Sequence, residues 1–308
     1  VKPLPNILVI VGPTASGKTA LALKIADTVP SEIVSADSRQ IYKHLTIGTA
    51  KPSPSELQRV PHHFIDRLEP DQPFNAGDFQ EQGRDVIDGI LCREKLPIVA
   101  GGTGLYVRAV IDGFFEQPEI SGEVRKTLEA RMKDQGKDAL YEELRRVDPE
   151  AAAGMDATKY RRVIRALEVF YETGTPISHF HRQHSVQPRY NARFYGLLWD
   201  RPLLYERINR RVDRMIADGF LDEVKGLLAM GYDDRSQSLQ TVGYKEALAY
   251  LRRQITKERM IELMKQNTRR FAKRQMTWFR SDDRIRWLSV SNESQIEELA
   301  AAIVRDGF

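Results

Sequence analysis

The stretch best equipped for chemistry is GPTASGKT, Gly12 to Thr19. It matches G-x-x-x-x-G-K-[ST] in full, between an apolar run (Ile7 to Val11) and a segment of helical pattern that starts at Lys18. Gly12 and Gly17 allow backbone turns that aim several N–H groups at one anion, with Pro13, Thr14, Ala15 and Ser16 completing the loop. The helix adds its positive end, Lys18 a full charge, and the Thr19 hydroxyl a ligand for a Mg²⁺ that bridges phosphate oxygens. A phosphate ligand is expected, and the loop alone leaves open whose phosphate it is. A nucleotide hydrolase usually has an apolar strand ending in Asp to hold the metal. Here the run PIVAGGTG ends in Gly and Thr, and no guanine-recognition Asn/Thr-Lys-x-Asp is present. An acid does follow the second apolar run, where EIVSADSRQIY places Asp37. Ligands of open α/β sheets bind at the carboxyl ends of strands. The loop, Asp37 and Thr103 are therefore expected to share one crevice, with a cap or turn role for Asp37 as the alternative.

The elements that must hold these residues follow from the pattern. Val9 to Val11 reads as a buried strand, Lys18 to Thr28 as a helix, and Ile33 to Ser35 and Pro97 to Ala100 as further strands. That is the start of an α/β fold, a P-loop NTPase-like parallel sheet flanked by helices. Phe194 to Trp199 and Ile285 to Val290 read as later strands. Residues 119 to 185 are charged and helical in period, with Gly113 and Pro118 before and Pro188 after. We assign residues 1–115 and 190–308 to the α/β core and 116–189 to an all-helical inserted domain. Pro202 suits the first turn of a helix that stops at Gly219. Thr256 suits the cap of a long helix, and EELAAAIVRD a short amphipathic one.

Composition narrows the class. With 308 residues, 41% hydrophobic and 29% charged, the chain has the balance of a globular protein. No apolar run approaches the ~20 residues of a membrane helix. The amino-terminal stretch lacks the pattern of a signal peptide, so a cytoplasmic protein is expected; Val1 is not a natural start, and removal of a residue or more is expected. The one cysteine, Cys92, excludes an internal disulfide and a cysteine zinc site, and reads as a small buried apolar side chain. His62 and His63 read as packing or hydrogen-bonding residues near the core, one of them a candidate for the crevice lining. Net charge is only +4, but Lys265 to Arg286 holds eight Lys/Arg against two Asp, and KYRRVIRALE (Lys159 to Glu168) four basic residues against one acid. Basic segments interleaved with aromatics fit a phosphate-rich partner such as nucleic acid; solvated helix faces are the plainer alternative. No coiled-coil heptad occurs, and a monomer is expected.

The ordered set GPTASGKT, SADSRQIY, IGTAKP, PHHFID, GGTGLY, RALEVF, VGYKE and KRQMTWFR resembles the tRNA dimethylallyltransferases, also called tRNA isopentenyltransferases, over residues 5 to about 290. The chain resembles the bacterial form, without the carboxyl-terminal zinc finger of larger eukaryotic members. The resemblance implies that the loop holds the diphosphate of dimethylallyl diphosphate. The acceptor is implied to be an adenosine on the 3′ side of the anticodon, its exocyclic amine attacking C1 as diphosphate leaves. Lys18 and Mg²⁺ would stabilise the leaving charge, and Asp37 matches the position that accepts the amine proton. Ser38, Arg39 and Gln40 fall in the base-contacting segment, and Thr103 matches a residue facing the reacting base. Arg207 matches an arginine that reaches the diphosphate, although the sequence alone cannot choose among it and Arg210, Arg211 and Arg214. Three segments match contacts to the anticodon stem-loop of tRNA: Arg161, Arg162 and Arg165; Gln240, Gly243 and Lys245; and Lys273, Arg274 and Arg280. Trp278 and Phe279, in the last of these, read as core residues rather than base-stacking platforms.

Two other readings explain part of the sequence. A small-molecule or nucleotide kinase would account for the loop and a helical lid, but not for the basic aromatic segment near the carboxyl terminus. A nucleic-acid-binding module with a nucleotide switch would account for the charge, yet no switch-type Asp or Gln is evident.

Overall fold

The computed structural model describes residues 3–114, 122–183 and 188–307. Residues up to Asp112 and from Pro188 onward form one compact unit, and Gly113–Gln187 a second. Pro118, with residues 116–121 and 184–187 of the expected insertion, lies outside the described residues. The first unit begins β1 (Asn6–Val11), α1 (Lys18–Ala26), β2 (Ser31–Ser35), α2 (Pro54–Arg59), β3 (His62–His63), α3 (Ala76–Cys92), β4 (Leu96–Gly101) and α4 (Gly104–Ile111). The second unit holds α5 (Glu123–Val147), α6 (Pro149–Ala153), α7 (Tyr160–Thr173) and α8 (Ile177–Gln183). The chain then completes the first unit with β5 (Asn191–Trp199), α9 (Arg201–Ala217), α10 (Phe220–Ala229), α11 (Tyr244–Leu251), α12 (Lys257–Phe279), β6 (Ile285–Val290) and α13 (Gln295–Arg305). Among the described residues, no helix is long and apolar enough to cross a membrane.

The six strands form one parallel sheet in the order β3-β2-β4-β1-β5-β6. Side chains alternate across it. Ile7, Val9 and Val11 face one side and join Phe79, Tyr106 and Phe279. Leu8 and Ile10 face the other and join Leu21, Ile208 and Ile303. A sheet covered on both faces favours strands that are apolar along both faces, as β1 is from Ile7 to Val11. Register then sets the site: Val11 lies beside Gly101 and Ser35 beside Ala100, so β1, β2 and β4 end together. The approach is close enough that a Cβ on Gly101 would lie 2.1 Å from the Ala36 carbonyl oxygen.

The helices begin where their caps dictate. Ser53 with Glu56, and Asn75 with Asp78, form reciprocal capping boxes for α2 and α3. The Thr256 hydroxyl accepts the Arg259 N–H at 3.2 Å and starts α12. In the helical unit, α5 breaks at Gly136, which takes a φ of 86°. On either side of that break Leu128, Leu140 and Leu144 pack against Val163, Ile164 and Leu167 of α7. Buried Asp148 caps α6 through the Ala151 N–H at 3.0 Å and holds the start of α8 through the Ser178 N–H at 3.0 Å.

Two expectations need correction. Cys92 is exposed. The buried face of α3 runs through Phe79, Gly83, Ile87 and Ile90, and a residue two beyond Ile90 turns away from it. Neither His62 nor His63 reaches the crevice at the carboxyl ends. Both sit on β3, the edge strand, where His62 Nδ1 contacts the Val60 carbonyl at 2.7 Å and His63 Nε2 contacts Glu32 at 2.8 Å. Glu32, buried on β2, also receives Arg93 at 2.7 Å and Lys95 at 3.0 Å. The Arg93 hydrogen bond above all, against the cost of burial, holds its carboxyl down at about 2.

Candidate active site

The phosphate loop leaves β1 with a sharp change of direction. Gly12 takes a φ of 147°, Ala15 63° and Gly17 95°. Side chains tie back the loop's carbonyls: Lys18 Nζ donates to Pro13 at 2.8 Å, Arg207 Nε to Ala15 at 2.9 Å, and Trp199 Nε1 to Ser16 at 2.9 Å. The first backbone bond of α1 runs from Leu21 N–H to the Gly17 carbonyl at 3.0 Å. The N–H groups of Lys18, Thr19 and Ala20 thus have no acceptor within the helix, the arrangement that receives an anion.

Thr14 to Thr19 line a cleft of about 550 Å³, with Asp37 and Gln40 beyond β2 and a row of arginines from α9 opposite. Arg207, Arg211 and Arg214 recur at the spacing of one helix face, and Arg210 also reaches the lining. Gly12 and Pro13 are buried behind the loop, and Pro13 borders a separate cavity with Lys273 and Arg280. A smaller chamber of about 180 Å³ adjoins the cleft, walled by apolar side chains such as Val212, Phe220 and Met264 and by Ser38, Arg39, Thr103 and Gly243. The two share Thr14, Asp37, Thr49, Arg211, Met215 and Phe271. Asp37 therefore stands where a charged compartment opens into one of mixed apolar and hydroxyl walls.

Each residue at this junction is held in place. Asp37 Oδ1 accepts the Arg39 N–H at 2.9 Å, a turn that fixes the carboxylate while leaving it open to both chambers. Thr103 Oγ1 accepts the Ser38 N–H at 3.1 Å, and the Thr103 N–H bonds the Ala36 carbonyl at 3.1 Å. Gln40 is committed internally, its amide joining Ser35 Oγ at 3.0 Å and the Ala50 carbonyl at 3.1 Å. The wall formed by IGTAKP is braced by Glu223, which accepts the N–H groups of Thr46, Ile47 and Gly48 at 2.8, 2.6 and 3.1 Å and the Tyr244 hydroxyl at 2.7 Å. Burial pushes the Lys18 ammonium down to about 8, with Asp37 opposing and Arg211 reinforcing the shift. Arg211 is lowered by burial as well, and Asp37 opposes that shift too.

The structure separates the arginines that the sequence could not. Arg207 lies 4.1 Å over the Trp199 ring, bonds the loop carbonyl of Ala15 and pairs with Glu293. Arg211 is the one that lines both chambers and faces Asp37. Gln275 also escaped the sequence reading. It is a buried amide on α12 that accepts the Thr14 N–H at 2.8 Å and donates to the Gly102 carbonyl at 2.9 Å. Its signals are a polar residue on the buried side of an otherwise basic amphipathic helix and its place within KRQMTWFR, where only the basic residues are singled out.

The family model described as IPP transferase matches residues 40–282. The chain belongs to the IPP transferase family. It is 46% identical over 286 residues to tRNA dimethylallyltransferase 1 of Pelobacter propionicus, covering 92% of this chain and 93% of that protein. It is 47% identical over 303 residues to tRNA dimethylallyltransferase of Carboxydothermus hydrogenoformans, covering 98% and 97%. Among solved structures, the full-length tRNA isopentenylpyrophosphate transferase of Bacillus halodurans aligns with a TM-score of 0.72 at 41% identity, covering 97% of this chain and 96% of that one. A eukaryotic dimethylallyltransferase acting on tRNA aligns with a TM-score of 0.86 at 28% identity, covering 98% and 79%.

The remaining residues that matched the IPP transferase pattern lie outside the two chambers. Arg161 and Arg162 are exposed on α7, while Arg165 turns inward to bond Glu168 at 2.9 Å. Gln240 and Lys245 are exposed on either side of Gly243. Lys273, Arg274 and Arg280 are exposed on or just after α12. Phe279 is buried as expected, but Trp278 is not: it is 37% exposed. Phe279 follows the buried stripe of Ala272 and Gln275 at helical spacing, and Trp278 falls off it, its ring lying over Gly104.

Proposed function

We propose that this transferase moves a dimethylallyl group from dimethylallyl diphosphate to the exocyclic N6 amine of the adenosine 3′-adjacent to the anticodon in tRNA. The observation that carries the reading is the pair of chambers meeting at Asp37. The larger one suits a diphosphate, with the loop N–H groups, Lys18 and Arg211 facing it. The smaller one combines apolar side chains with Ser38 and Thr103 in its lining, a mixture suited to a base. The amine nitrogen attacks C1 of the allylic group, the N–C bond forms as the C1–O bond breaks, and diphosphate departs with the electron pair. Asp37 accepts the proton that the amine loses. The loop amides, Lys18 and Arg211 stabilise the charge gathering on the leaving group, and because they are fixed beforehand they need no reorganisation as the bond breaks. Exposed basic residues on α7 and α12 would follow the backbone of the anticodon stem-loop.

A Mg²⁺ ion fits this donor set. The Thr19 hydroxyl opens onto the cleft at the start of α1, and an oxygen ligand of this kind suits a hard cation. Among the described residues no cluster of three or more His, Cys, Asp or Glu side chains forms a cage, so diphosphate oxygens and water would supply most of the shell. When bound, the ion would neutralise charge on the diphosphate.

The test is transfer of a radiolabelled dimethylallyl group from its diphosphate to unmodified tRNA with Mg²⁺, run beside an ATP-consumption assay. Label in the tRNA without ATP turnover is expected. ATP turnover with no label would overturn the reading and favour a kinase.

A further inference from the structure

Gln275 lines the inner edge of the larger cleft and bonds to both halves of the site. Its side-chain oxygen takes the Thr14 N–H of the phosphate loop, and its side-chain nitrogen donates to the Gly102 carbonyl, one residue before Thr103. Among the described residues, no other side-chain hydrogen bond joins these two loops directly. The amide is buried, so neither bond competes with water. The backbone has made room for it: a Cβ on Gly102 would lie 2.3 Å from the Gln275 nitrogen. Both ends of one planar group are thus committed to two loops that face different substrates, and its helix, α12, carries Lys273 and Arg274 on the outside.

We infer that Gln275 is a positioning residue that sets the separation between the donor-holding loop and the acceptor-holding loop, so that C1 and the amine nitrogen meet in reacting geometry. This rests on the transferase reading above. Each loop keeps its own anchors: the Pro13 and Ala15 carbonyls hold Lys18 and Arg207, and Thr103 holds Ser38. Loss of the amide therefore leaves these anchors in place and chiefly disturbs the relation between the two loops. An error of about 1 Å at that point is enough to cost on the order of a hundredfold in rate.

The experiment compares wild type with Gln275→Met, which fills the space without either bond, and Gln275→Glu. For each protein, single-turnover transfer, the Kd of inorganic diphosphate, the Kd of tRNA and Tm are measured. Wild-type transfer in the same series tests the transferase reading by itself. For Gln275→Met we expect the single-turnover rate to fall at least thirtyfold, with both Kd values within threefold and Tm lowered by only a few degrees. For Gln275→Glu we expect a similar loss at pH 8. Partial recovery relative to wild type should follow as pH falls, because a protonated carboxyl can accept from Thr14 and donate to Gly102 as the amide does. If Gln275→Met does not fold, the pH-dependent recovery of Gln275→Glu decides. The inference is overturned if the rate stays within threefold of wild type. It is equally overturned if the loss is matched by weaker diphosphate binding, or if Gln275→Glu shows no recovery at low pH.

Discussion

At the scale of single residues, the site is a set of charges whose partners are few and buried. Asp37 is the carboxylate common to both chambers, with one oxygen used by a turn. Asp37→Asn keeps that turn and removes the proton acceptor. Single-turnover transfer should fall roughly 10²- to 10⁴-fold, while diphosphate affinity changes little; a variant as active as wild type would remove Asp37 from the mechanism. Lys18, lowered to about 8 by burial, yields a pH prediction. Only the ammonium attracts diphosphate, and the free protein loses that charge above pH 8. The apparent Kd for a non-reacting donor analogue should be flat below pH 8 and rise about tenfold per unit above it. Lys18→Arg, always charged, should flatten that rise, and identical profiles would show that another group titrates. At this scale the sequence was least informative. The loop and Asp37 were legible because the motif is contiguous. Arg211 was not, because four arginines within two turns of α9 differ only in which way a folded helix turns them. Gln275 was hidden for a similar reason, since its two bonds span 261 and 173 residues of chain.

At the scale of elements, apolar runs and caps gave most of the fold. Strand β6 falls on its expected residues, Ile285 to Val290, and α12 begins at its Thr256 cap. Strand β5 starts earlier than expected because Asn191 and Arg193 are polar yet still pair with β1. The two-residue β3 carries no periodic signal at all. Glu32 shows what a polar residue costs and gains inside such an element. Its carboxyl, ordinarily near 4.5, is held at about 2 by Arg93, His63 and Lys95. The charged form is thus favoured in the fold. The stability it contributes is fully present above about pH 4.5 and is lost as pH falls toward 2. The amount is on the order of 3 kcal/mol. Urea unfolding of wild type and Glu32→Gln should differ most at pH 6 to 7 and converge near pH 2. A gap that persists in acid would show that the cluster is held by packing instead of charge.

At the scale of the whole molecule, the sheet-bearing unit and the helical unit each present exposed basic side chains, at Arg161 and Arg162 in one and at Lys273, Arg274 and Arg280 in the other. A partner that neutralises them releases counterions, so affinity should fall steeply with salt. Arg162→Ala should weaken tRNA binding and reduce the slope of log K against log salt by roughly one unit. Filter binding at several salt concentrations checks this, and an unchanged slope places Arg162 outside the interface.

The exposed thiol at the end of α3 has a practical meaning. Cys92 is the chain's one cysteine and lies just before the amino end of β4, whereas both chambers open beyond the carboxyl ends of the strands. Six residues of β4 put roughly 20 Å of sheet between the two ends. This chain thus carries a single chemically addressable handle on the side away from the two chambers. A fluorophore or surface tether can be attached there without engineering, and binding of either substrate can be watched from behind.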